Sequence, residues 1–95
     1  ISHIEAPVTL GFRNTGFLNK VEYHWRGVDG ALMYEVEKCM DQDTINETWE
    51  RLKLTSKTSL VVDRTQNTQG IKYRVRALGT REEGPYSQVT APAAN

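Results

Sequence analysis

Ninety-five residues suffice for one domain that buries roughly 60–65% of its unfolded surface in a single core. Twelve Lys and Arg balance twelve Asp and Glu, so no net field recruits nucleic acid or an anionic membrane. No apolar run reaches the about 18 residues that cross a bilayer, no signal-peptide pattern opens the chain, and Cys39, the lone cysteine, has no internal disulfide partner.

Turn-forming clusters at 14–16, 27–30, 41–48, 66–70 and 79–85 divide the chain into short segments, the mark of a sandwich or barrel. Seven strands are expected, at 8–12, 20–26, 32–40, 49–54, 59–63, 71–78 and 86–90. In the second, Val21, Tyr23 and Trp25 share one side, while Glu22, His24 and Arg26 share the other. In the sixth, Ile71, Tyr73, Val75 and Ala77 oppose Lys72, Arg74 and Arg76. Side chains of a strand point alternately to opposite faces, so these segments belong to half-buried antiparallel sheet. The expected core is Val21, Tyr23, Trp25, Tyr34, Val36, Leu60, Val62, Tyr73, Val75 and Ala77. Ile45, Trp49 and Leu52 fall at helical spacing, but the segment is short and its flanks are strand-like, which favours a loop followed by a strand. Ala6-Pro7 and Ala91-Pro92 read as stiff joints. They divide the chain into an N-terminal linker (1–6), a domain (7–90) and a C-terminal linker (91–95).

Several phrases, in their order and spacing, resemble a fibronectin type III domain over nearly the whole chain. They are Trp25 in the second strand, Gly30-Ala31 followed by Tyr34 and Val36, Trp49, Thr58-Ser59-Leu60, then Tyr73, Val75 and Ala77, and finally Glu83-Gly84-Pro85-Tyr86-Ser87. Val28-Asp29-Gly30-Ala31 looks closer to bacterial and phage versions of the module than to animal adhesive ones. The resemblance implies an all-β, immunoglobulin-like seven-stranded sandwich. Its sheets would be A-B-E against C′-C-F-G: first, second and fifth strands against fourth, third, sixth and seventh. One position departs from the pattern. Asn67 and Gln69 stand where the family usually has Leu and Pro beneath the tyrosine corner, so that corner is remodelled or closed by the amide.

Catalysis needs a positioned base, nucleophile or metal. His3 lies in a frayed segment, His24 is on an outward strand face, and no zinc-protease, nucleophile-elbow or phosphate-loop phrase occurs. Cys39, beside Lys38 and Met40 in a strand-like run, reads as a strand residue and not as a reactive thiol. The oxygen-rich run 41–47 lacks the glycine of a calcium loop, and Asn46-Glu47-Thr48 is a glycosylation sequon expected to be silent. No catalytic residue, metal or cofactor is expected. Glu35 and Glu37 on the third strand and Lys72, Arg74 and Arg76 on the sixth would form a ladder of opposite charges. Direct recognition would use Arg81, Glu82 and Glu83 of the loop before the last strand, with Arg74 and Arg76 on the adjoining face. Animal adhesive members carry Arg-Gly-Asp in that loop, whereas Arg81 is followed here by Glu82 and Glu83. The expected role is a non-catalytic module of a larger surface, secreted or virion protein, monomeric when isolated. It would space neighbouring domains of the same chain or assist protein or glycan binding; the alternatives are a direct ligand-recognition module and a receptor- or scaffold-type domain.

Overall fold

The computed structural model describes residues 4–17, 19–39, 48–63 and 71–89. All regular structure among them is strand: β1 (Thr9–Asn14), β2 (Lys20–Trp25), β3 (Met33–Cys39), β4 (Trp49–Thr55), β5 (Ser59–Asp63), β6 (Lys72–Leu78) and β7 (Glu83–Tyr86). They form two antiparallel sheets, ordered β1-β2-β5 and β4-β3-β6-β7. That is the arrangement implied by the resemblance. Asn67 and Gln69, the loop 41–47 with its Asn46 sequon, His3, Met40 and the 91–95 linker lie outside the described residues.

Most strand limits fall within one residue of the sequence expectation, and two strands depart further. β1 runs on to Asn14, because Arg13 and Asn14 continue its ladder against Glu22 and Val21 of β2. β7 lies earlier than expected, since Glu83 already opposes Leu78 and Tyr86 opposes Arg76. Gly84-Pro85 reads as a turn in sequence, yet an edge strand tolerates proline where its missing N–H would face solvent. The N–H of Ser87 then donates to the carbonyl of Val75 at 2.8 Å, just beyond the strand.

The inner faces meet over a chain of rings. Tyr23 has no solvent exposure and lies 5.0 Å from Phe12, 5.5 Å from Trp25 and 5.8 Å from Tyr73, between ring centroids. Trp25 continues the chain to Tyr34 at 5.6 Å, and the Tyr34 hydroxyl accepts the N–H of Val28 at 2.9 Å. Val21, Val36, Val62, Val75 and Ala77 are buried around these rings, and Leu60 is half-buried against them. Ile71 also belongs to this core.

Ile4, in the stretch read as a linker, is buried and packs with the core, and Pro7 is buried too. It rests in a cradle of three glycines. A Cβ on Gly79 would meet Ile4 Cδ1 at 2.5 Å, one on Gly84 would meet Ile4 Cγ2 at 2.8 Å, and one on Gly30 would lie 3.8 Å from Ile4 Cγ1. The same Cβ on Gly84 would stand 3.1 Å from the Ala77 carbonyl oxygen, which cannot turn aside as a side chain can.

Trp25→Ala should cost about 3–5 kcal/mol in denaturant unfolding, because the emptied site is walled by both sheets. Gly84→Ala should cost about 1–3 kcal/mol by overpacking. Adding Ile4→Ala to Gly84→Ala should relieve part of that strain, read as a non-additive double-mutant cycle.

Candidate functional site

The outward face of the four-stranded sheet gathers most of the charges that the alternation sets apart. Register places Glu35 opposite Arg76 and Glu37 opposite Arg74. Arg76 donates through Nε to Glu35 Oε1 at 2.6 Å and through Nη2 to Glu83 Oε2 at 3.0 Å. Arg51 reaches the other oxygen of Glu35, with Nε donating to Oε2 at 2.7 Å. Arg74 donates twice to Glu37 Oε1, from Nε at 2.9 Å and Nη2 at 2.7 Å.

Rings complete the network. The Arg74 guanidinium carbon lies 4.2 Å from the Trp49 ring centroid and 3.7 Å from that of Tyr86, and the Arg76 carbon is 4.8 Å from Tyr86. A guanidinium over an aromatic face gains roughly 0.5–2 kcal/mol, more as water is excluded. Here one cation is held by both rings and a carboxylate. Glu35 is only 3% exposed, so its charge is tolerable only because two guanidiniums neutralise it. Burial pushes its carboxyl up, but hydrogen bonds from Arg51 and Arg76, together with their charges, outweigh this and hold it below the ordinary value. A general acid or base for neutral pH would need the opposite displacement. Cys39 shares the parity of Glu35 and Glu37 yet is fully buried, with Trp49 and Lys72 as its cross-strand neighbours.

The loop between β6 and β7 closes tightly, the N–H of Gly79 donating to the Glu82 carbonyl at 2.8 Å. The five residues singled out for recognition thus separate into two groups. Arg74, Arg76 and Glu83 lie in the paired network, whereas Arg81 and Glu82 are exposed at the loop. Sequence reasoning missed the parts played by Arg51, Trp49 and Tyr86. Trp49 and Arg51 are two positions apart on one strand, which is the available signal; nothing local indicates that Tyr86 covers Arg74. On the other sheet, Arg13 pairs with Glu22, and that bond foremost lowers the Glu22 carboxyl. His24 is half-buried there, opposite Ser59. Among the described residues no group of three or more His, Cys, Asp or Glu could hold a metal ion.

Seven antiparallel strands in a three- and a four-stranded sheet define an immunoglobulin-like β-sandwich. No protein-family model matches the chain, and no sequence among curated proteins does. Solved structures do. The chain is similar to the structure of an FN3tt mutant at 14% identity and a TM-score of 0.75, covering 99% of this chain and 100% of that one. An Fn3-like protein from Clostridium thermocellum matches at 15% identity and a TM-score of 0.65, covering 99% and 93%. A structure of titin kinase and its flanking domains matches at 20% identity and a TM-score of 0.69, covering 100% of this chain and 18% of that one. The fold is that of a fibronectin type III domain.

The Glu35 clamp carries a pH signature. A carboxyl held below its unfolded value stabilises the fold fully above that value, ordinarily 4.5, and this contribution is lost as pH falls through the folded value. Glu35→Gln should therefore reduce stability near pH 7 and flatten the acid limb of a stability-versus-pH curve from chemical denaturation.

Proposed function

We propose that this domain is a non-catalytic spacer of a larger surface, secreted or virion protein, positioning neighbouring domains of the same chain. The observation that supports this best is the closed electrostatics of its broad charged face. Glu35, Glu37 and Glu83 engage Arg51, Arg74 and Arg76, so six charges satisfy one another and a partner would have to break existing pairs to use them. Internal pairing of this kind fixes strand register and keeps an exposed sheet soluble. The titin structure offers a parallel, since the matched sandwich there is a small part of a longer chain. A surface or virion setting rests on the likeness of Val28-Asp29-Gly30-Ala31 to bacterial and phage modules.

A second reading, direct recognition of a protein or glycan, draws on Arg81 and Glu82, both exposed on the loop outside the network. Loops on a rigid sandwich are the usual place for contacts, but the pair lacks an aromatic anchor. Exchange of this domain for an unrelated sandwich of equal length within its parent polypeptide should preserve the parent's activity. Screening the chain against glycan arrays and surface extracts should yield no saturable binding. Tight binding abolished by Arg81→Ala would replace the spacer with the recognition reading.

A further inference from the structure

β4 and β5 each end their sheets and line one groove together, and among the described residues no strand closes the seam between them. A groove of about 390 Å³ opens there, walled by Leu52, Leu60, Ile71 and Tyr73 and edged by Lys38, Lys53 and Asp63. That volume falls in the lower part of the range of small-molecule sites, roughly 300–1,000 Å³.

The pairing pattern of this chain gives the groove its chemistry. Arg13, Lys20, Arg51, Arg74 and Arg76 each meet a carboxylate. Asp63, the acid of the groove, is 3.4 Å from Lys20 and so partly neutralised. The side chains of Lys38 and Lys53, in contrast, make no hydrogen bond or ion pair with a described residue. Lys38 alternates with Tyr34 and Val36 on the inner side of β3 and is half-buried, its stem lying along the apolar wall of the groove. Apolar walls beside two uncompensated cations suit an anion with an apolar body.

We propose that this groove is a binding site for small amphipathic monocarboxylates, the hydrocarbon lying on Leu52, Leu60 and Ile71 and the carboxylate met by Lys38 and Lys53. Inward-turned lysines also guard an edge strand against pairing with another chain, a role that needs no ligand. The inference is independent of the spacer reading, since a spacer with this site is still a spacer.

Titration with decanoate, with decanol as the neutral match, followed by methyl NMR, separates the two roles. Decanoate should shift the Leu60 and Ile71 methyls saturably, and decanol should bind about tenfold more weakly. Lys38→Gln with Lys53→Gln should weaken decanoate by about tenfold while decanol binding stays unchanged. Lys53→Gln alone, at an exposed edge position, should still weaken decanoate by about threefold if the double variant does not fold. Equal affinity for the acid and the alcohol, unchanged affinity in Lys53→Gln, or shifts that avoid Leu60 and Ile71 would each overturn the proposal.

Discussion

Tyr23 is the hub on which the sandwich depends. It has no contact with solvent, and three other rings lie within 5.8 Å of its own. Two of them, Phe12 and Trp25, come from β1 and β2, and the third, Tyr73, comes from β6 of the opposite sheet. A chain of this size has few large side chains with which to exclude water, so burial of these aromatic surfaces is the dominant favourable contribution. Cys39 is the lone cysteine and is buried, so no internal disulfide shares that load. The period-two alternation of β2 and β6 exists to deliver these rings to one place.

The outward side of β3 and β6 follows from the same alternation. Once Tyr73, Val75 and Ala77 are committed inward, Lys72, Arg74 and Arg76 must point outward, and the register that buries Val36 against Val75 brings Glu35 and Glu37 beside the arginines. Core packing and surface charge therefore select the same register, and a slip by one residue would break both. Glu35 is the most constrained member, because it is almost fully covered and yet charged. Its two guanidinium partners come from strands on either side, so the acid binds β4 and β6 across β3.

Much of the architecture was legible in the sequence because the alternation is strict where the sheets are half-buried. It failed where tertiary context decides. Gly84-Pro85 looks like the end of a turn, and only an edge position with a free N–H side lets β7 form there. The ladder between β3 and β4 slips between Val36 and Glu37, so counting along the sequence cannot tell that Arg51 reaches Glu35. Trp49 and Tyr86 flank Arg74 from strands that are not consecutive in the chain, an arrangement no local pattern encodes. The exposed loop residues Arg81 and Glu82 were visible as candidates, but their separation from the arginine network was not. Ile4 was hidden for another reason: a lone apolar residue outside any periodic segment gives no signal until the glycines that receive it are adjacent.

That seat of Ile4 has a mechanical consequence. The residue lies ahead of the first strand and touches both the turn before β3 and the hairpin that joins β6 to β7. Tension arriving through the preceding polypeptide meets this plug before it reaches the hydrogen bonds of β1. Extraction of one isoleucine would then empty the cradle formed by Gly30, Gly79 and Gly84, so two loops far apart in the chain share a single small clasp.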